Sequence, residues 1–340
     1  MAAHDTDLVV DLAGRDDEVR RALEDLRMNR YVAMRDVLMK TSGDWPLRTA
    51  RSQVLAVGAG DGGAVTAWLD EEPRHADALM MWARVLTRQA VRALREGKSE
   101  GLLRRAAAVA RDACWRALRH RPEDPVPWVC LLDLAKLPID LRHLDPFFRH
   151  RPHPWGSPPE RGLFVGPWPL LYEADRRDLG NREAYHRMRE YADACLPGGQ
   201  AMDFTRWTTS HAPYGSPLHV LPLYAFVAEY RRRHADGRGG ALAFWTTAQV
   251  KHYARKACDD WFYATPLAAQ SRLSLLDLNH LAFVLVACGE IGAGAVFEAI
   301  GPYATSAPWA QVSQTLDRNW HSEFRRMRDS SLRRPRGHRL

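Results

Sequence analysis

The 340-residue chain lacks a Walker loop, a GxGxxG fingerprint, a GxSxG elbow and an HExxH zinc motif, so nucleotide, nucleophilic-serine and zincin chemistry are not indicated. The cluster Gly58–Gly63 is glycine-rich but has no Gly-Lys-Ser/Thr to hold a phosphate and its metal, and it reads as a turn between helices. Cysteine is scarce. Cys114, Cys130, Cys195, Cys258 and Cys288 are odd in number, far apart and without a CxxC pair; four lie among apolar neighbours, so reduced core residues of a cytoplasmic protein are expected. Long apolar runs are missing as well. The longest, Leu281–Cys288, is eight residues, against roughly 20 needed to cross a bilayer, and the acidic stretch Met1–Val19 holds no hydrophobic signal region. Only Lys40, Lys98, Lys136, Lys251 and Lys256 are lysines among 48 basic residues, which with the heavy alanine usage suggests GC-rich coding and makes part of the arginine content a codon effect. Charge of either sign is nearly absent from the body of the chain in net terms. Of the +7 total, residues 318–340 carry +6 and the other 317 residues +1, so a basic face across the fold is not indicated. No segment alternates with a period of two, and no sheet is expected.

Periodic prolines and tryptophans are what the chain does have. Pro122 stands six residues before Trp128-x2-Leu131-Leu132-x2-Ala135, and Pro73 six before Leu79-x2-Trp82-Ala83-x2-Leu86. Trp45 precedes Pro73 by 28 positions, which puts the three marks in one 34-residue phase. This spacing resembles the tetratricopeptide repeat, and the resemblance implies an all-α, tetratricopeptide-like α-solenoid of antiparallel helix pairs. Helical periodicity predicts helices over about 19–40, 46–57, 64–72, 76–96, 102–120 and 126–136, then over 169–179, 182–196, 200–211, 217–234, 241–263, 272–288, 293–303 and 308–328. The face Ala106, Val109, Ala113, Ala117 and Leu118 is the expected core side of the fifth, and Trp68, Trp82, Trp115 and Trp128 are expected core residues. Eight of the 21 prolines fall in residues 138–169, so a Pro-rich irregular segment interrupts the repeats. The domain order expected is 1–137 helical repeats, 138–169 irregular, 170–328 helical repeats and 329–340 a basic disordered tail.

Three further segments, Arg121-Pro-Glu-Asp-Pro-Val-Pro-Trp128, Asn181-Arg-Glu-Ala-Tyr-His-Arg-Met188 and Gly215-Ser-Pro-Leu-His-Val-Leu-Pro-Leu223, resemble an uncharacterised family of tetratricopeptide-like proteins from GC-rich bacteria. The similarity covers about residues 45 to 320. It implies the fold and transfers no activity or site. The chain departs from the general repeat at Leu132, where a small residue is expected, and at Arg48-Thr49, where an apolar-small pair is expected, so irregular packing should appear at both.

The resemblance implies a concave groove facing positions 2, 5, 9 and 12 of each first helix, here Asp77, Met80, Arg84, Thr87, Val126, Val129, Asp133 and Lys136. Methionine, valine and mixed charge suit a protein or peptide partner laid in that groove, unless Arg88 or the Pro-rich segment fills it from within. An alternative is an enzyme or small-molecule pocket between the Pro-rich segment and the helix after Ser216, lined by Trp155, Trp168, Asp203, Arg206, Trp207, His211, Tyr214 and His219. His219 at the third helical position would have its proton affinity lowered by the helix dipole. No nucleophile or second carboxylate completes a catalytic set, and turn-stabilising hydrogen bonds are the simpler role. His143, His150 and His153 beside Asp145 are zinc-compatible ligand types, but Arg142, Arg149 and Arg151 would repel a cation, so no metal or other cofactor is expected. The arginine-rich end could bring a nucleic acid through salt-dependent phosphate contacts, although aromatic interleaving there is limited to Trp320 and Phe324. The sequence sets no oligomeric state.

Overall fold

Side-chain caps and first-turn prolines explain where the helices begin. In the computed structural model, which describes residues 8–139, 156–234, 241–313 and 318–333, Asp16, Asp44 and Asn181 accept the amides of Val19, Leu47 and Ala184 at 3.1, 3.0 and 2.9 Å. Pro46, Pro127, Pro169 and Pro222 occupy first turns, where the missing N–H has no intrahelical acceptor to lose. Among the described residues the protein is all-α, with two isolated bridges and no strand.

The chain divides into two units, Arg15–Phe204 and Thr205–Leu340 together with Met1–Gly14. The division falls within the helix Gln200–His211; residues 140–155 of the Pro-rich segment lie outside the described residues.

The first unit holds α1 (Asp17–Arg27), α2 (Val32–Met39), α3 (Trp45–Gly58), α4 (Gly63–Glu71), α5 (Ala76–Arg95), α6 (Glu100–His120), α7 (Val126–Leu134), α8 (Trp168–Asp175), α9 (Arg182–Cys195) and the start of α10 (Gln200–His211). The single helix expected over 19–40 is two. Asn29 adopts φ 57° between them, a left-handed conformation that asparagine tolerates better than most residues, and the turn folds α2 back onto α1. On α6 the expected core residues Ala113, Ala117 and Leu118 are buried, but Val109 is exposed and Ala106 only half-buried, the core face extending instead through Leu103, Ala107, Ala110 and Cys114. Helices α3, α5, α7 and α9 pack each on the next, α3 also meets α9, and α4, α6 and α8 fill the spaces alongside. Gly62 shows why the glycine turn before α4 is needed. Its φ is +92°, and a Cβ there would lie 2.9 Å from Val85 and 3.1 Å from the Trp82 ring, so the half-buried indole packs directly on turn backbone.

The second unit holds α11 (Leu221–Arg233), α12 (Ala241–Trp245), α13 (Ala248–Ala257), α14 (Leu267–Gln270), α15 (Leu275–Cys288), α16 (Ala293–Ile300), α17 (Trp309–Ser313) and α18 (Trp320–Arg333). The helix expected over 217–234 is present as a continuous helical run, opening as the tighter turn Pro217–Val220 capped by Ser216 and continuing as α11. Those expected over 241–263 and 308–328 are interrupted: Thr247 caps α13 afresh after α12, Cys258–Phe262 widens into a π turn, and residues 318 and 319 before α18 are not helical. Apolar nearly all round, α15 is enclosed by α11, α12, α13, α16 and α18. Residues 8–14 join this unit: the Val9 amide donates to the Pro302 carbonyl and its carbonyl accepts from Ala304, both at 2.9 Å.

Edge-to-face rings link α12, α15, α17 and α18, with Trp245 5.1 Å from Phe283, Phe283 5.2 Å from Trp309 and Trp309 5.1 Å from Phe324. Phe324 is the buried anchor of α18. Phe324→Ala should therefore cost about 3–5 kcal/mol and expose α18 to trypsin in limited proteolysis at temperatures where the wild type resists; an unchanged cleavage pattern and melting temperature would contradict that anchoring.

Candidate functional site

The eight residues expected to line a concave groove lie in the interior of the first unit. Asp77, Met80, Arg84, Thr87, Val126, Val129 and Asp133 are buried and Lys136 is half-buried. Their polar members are engaged with the chain itself. Fully buried Arg48 on α3 donates from Nε to Asp124 at 2.8 Å and from Nη2 to Asp77 at 2.7 Å, and Arg121 adds a bond to Asp77 at 2.6 Å. The positions where an apolar-small pair was expected thus carry a structural cation that ties α3 to the starts of α5 and α7. Both carboxylates belong there: Asp77 sits in the first turn of α5, and Asp124 also accepts the Val126 amide at 2.9 Å.

Two turns further along α5, Arg84 grips Glu183 of α9 through two parallel bonds of 2.9 and 2.7 Å and reaches Ser52 Oγ at 3.1 Å. Arg187 bonds Glu183 at 2.9 Å and Glu190 at 3.0 Å; Lys136 bridges Asp133 at 2.5 Å and Glu190 at 2.7 Å. Every carboxylate of this network has a cation within 3.0 Å. Burial pushes the Glu183 carboxyl up, but the charges of Arg84 and Arg187 and their hydrogen bonds prevail and hold it at about 2. Glu190 is likewise held well below the usual carboxylate range by Arg187 and Lys136 against the opposing effect of burial.

The residues of the alternative pocket are distributed between the units. Trp155 lies outside the described residues. Trp168 is fully buried in the first unit, its Nε1 donating to the Phe164 carbonyl at 2.8 Å and its ring packed 5.8 Å from Phe204. Asp203 is half-buried in α10 of the same unit. In the second unit Arg206 and Tyr214 are exposed, the Trp207 ring lies tilted 5.3 Å from His211, and His211 Nδ1 is 2.9 Å from the Trp207 carbonyl. His219 is buried with Nε2 3.0 Å from the Pro213 carbonyl. Burial, together with nearby Lys256, pushes its imidazole below its usual value against that hydrogen bond. Both histidines bond carbonyls of their own local chain, the turn-stabilising role. His143, Asp145, His150 and His153 lie outside the described residues, among which no group of metal-ligating side chains occurs. All five cysteines are free thiols, four of them buried. Of the arginine-rich end, Arg325, Arg326 and Arg333 are exposed on α18, where Glu323 pairs Arg326 at 2.6 Å, and residues 334–340 lie outside the described set.

An open cavity of 330 Å³ does exist in the first unit, at the turn between α6 and α7. It is lined by Trp115, Leu118, Arg119, Pro122, Trp128 and Arg177. The indoles of Trp115 and Trp128 meet at 88° with centroids 5.4 Å apart, forming an apolar corner. Arg177, just after α8, lies 4.8 Å above the Trp128 ring and is fixed there by the Pro122 carbonyl at 2.5 Å and by the carbonyl and carboxylate of Glu173 at 2.6 and 2.7 Å. The Pro122-to-Trp128 spacing marks two of these walls in the sequence. Nothing local in the sequence brings Arg177, 49 residues beyond Trp128, to the same place.

No family model, curated protein or solved structure matches the chain. No described helix is long and apolar enough to cross a membrane.

The buried network makes a pH-dependent contribution with a definite sign. Because Glu183 is depressed from about 4.5 to about 2, its stabilisation is complete above the unfolded value and is lost as pH falls from about 5 towards 2, on the order of 3 kcal/mol. Glu183→Gln should be less stable at pH 7, and its urea midpoint should fall less between pH 7 and pH 3 than that of the wild type. Parallel losses in the two proteins would remove Glu183 as a source of the acid sensitivity.

Proposed function

We propose that the chain is a tetratricopeptide-like helical-repeat protein that binds a protein or peptide partner, and that the partner docks in the cavity between Trp115 and Trp128 rather than along the inner helix face. Sequential packing of α3, α5, α7 and α9, with α4, α6 and α8 alongside, supports the repeat class. The observation that carries the binding reading is the open, tryptophan-walled cavity beside an inner face whose charged groups are already paired within the chain. Tryptophan and arginine are the residue types that most often dominate binding energy at such anchors, and 330 Å³ is at the small end of ligand sites, enough for one large side chain. The free thiols suit the reducing cytoplasm.

Peptides selected by display on the wild-type protein should lose at least about tenfold in affinity on Trp115→Ala, measured by calorimetry on protein whose melting curve remains cooperative. Selected peptides that bind Trp115→Ala as well as they bind the wild type would place recognition elsewhere.

A further inference from the structure

We infer that the outer face of α18, in the second unit, binds the phosphate backbone of double-stranded DNA. The net charge of the chain is concentrated there. Residues 318–340 carry +6 of the total +7, and α18 is an ordered helix, packed on α15, α16 and α17, that buries only Phe324 of its 14 residues. Its cations are not balanced within the unit. Arg318 and Arg326 share Glu323, at 3.4 and 2.6 Å. Arg325, Arg328 and Arg333 make no hydrogen bond or ion pair among the described residues. With 3.6 residues per turn, Arg326 and Arg333 fall within about 20° of one line, two turns apart, and Arg325 lies about 80° to one side of Arg333. All three are exposed, and Arg328 is half-buried. Asp329, exposed between them, pairs with none of them. Five arginines thus face two carboxylates over residues 318–333, and the sequence continues with Arg334, Arg336 and Arg339.

The chemistry of the face selects duplex DNA among polyanions. A row of guanidinium groups held on a helix suits a regular row of phosphates, each contact releasing a counterion. Ser322 and Ser330, exposed on the same side, add hydroxyl donors of the kind that meet phosphate oxygens. Unpaired bases find no platform: no tryptophan, tyrosine or phenylalanine of α18 is exposed, and half-buried Trp320 is stacked 3.7 Å from His321. A bilayer is disfavoured as well. The apolar side of α18 is used inside the unit, with Phe324 5.6 Å from Phe297 and 5.1 Å from Trp309, and Leu332 is its one exposed large apolar residue. Between duplexes, the major groove of B-DNA, about 12 Å wide, admits a helix between its two phosphate walls, whereas the deep, narrow groove of A-form RNA does not. This surface belongs to the second unit and does not depend on the peptide cavity of the first.

Fluorescence anisotropy of the full chain with a labelled mixed-sequence DNA duplex of about 20 base pairs tests the assignment. Between about 50 and 200 mM salt the association constant should fall with a double-logarithmic slope of about −3 or steeper, as contacts from at least three arginines require. Arg325→Gln combined with Arg333→Gln should weaken binding at low salt at least about tenfold and make the slope shallower by about 2. Lys98→Gln combined with Arg104→Gln removes the same charge from exposed positions of the first unit and should leave affinity and slope unchanged. Both pairs alter exposed side chains, and melting curves coincident with the wild type verify the fold. Absence of duplex binding at low salt, an unchanged slope in the α18 variant, or equal losses in the two variants overturns the inference. So does tighter binding of the single strand of the same sequence, of an RNA duplex, of polyglutamate or of phosphatidylcholine vesicles containing phosphatidylserine, each of which would assign the arginines to a different partner.

Discussion

The buried ion pairs of the first unit constrain everything around them. Arg48 has no exposed surface, and an unpaired guanidinium in that position would carry a desolvation cost no nearby apolar contact could offset. It is tolerable only when α5 and α7 deliver Asp77 and Asp124 to it together, and Arg84 likewise requires α9 to deliver Glu183. Apolar seams between helices permit sliding by a turn at modest expense. Charge pairs that must close within 3 Å do not. Since Coulomb gain and desolvation largely cancel for buried pairs, the network acts on register more than on net stability, and it links four helices separated by up to 142 positions in sequence, from Arg48 to Glu190.

The interior of these helices supplies its own counter-charges, although Nη1 of Arg48 and Nε of Arg187 are buried without a hydrogen-bond partner among the described residues. The turn between α6 and α7 differs, because Pro122 and Trp128 shape the helix junction while the indole of Trp115, half-buried, still meets solvent. Trp128 is buried at that junction, while Trp115 is half-buried and Arg119 exposed.

Local signals carried the fold's elements well. Helix starts at Trp45, Ala76, Val126 and Arg182 follow from residues visible in the sequence, Asp44, His75, Pro127 and Asn181. What the sequence could not show was orientation and long-range pairing. Val109 fits an apolar stripe as well as Ala107 or Ala110 does, yet the α5–α6 contact selects the latter, because small residues let those helices approach closely. The positions expected to line a groove are buried in the first unit against α9, whose Glu183, Arg187 and Glu190 carry no mark that distinguishes them from a solvated helix. The cavity suffered the same limitation: its tryptophans were legible as core, and Arg177 was not legible at all.

The persistence of the cavity's roof follows from one carboxyl group. Burial pushes Glu173 up, yet its hydrogen bonds to Arg177 and Arg176 keep it below the usual carboxylate range, so it stays ionised across neutral and mildly acid pH. While it is ionised, Nη1 of Arg177 remains anchored, Nε remains on the Pro122 carbonyl, and the guanidinium plane stays over Trp128. An arginine held at three points has already given up most of its rotamer freedom. Arg119, exposed on the same side, has no such anchor among the described residues. The guanidinium of Arg177 is thus a fixed part of the junction between α6, α7 and α8, set by one carboxylate and two carbonyls.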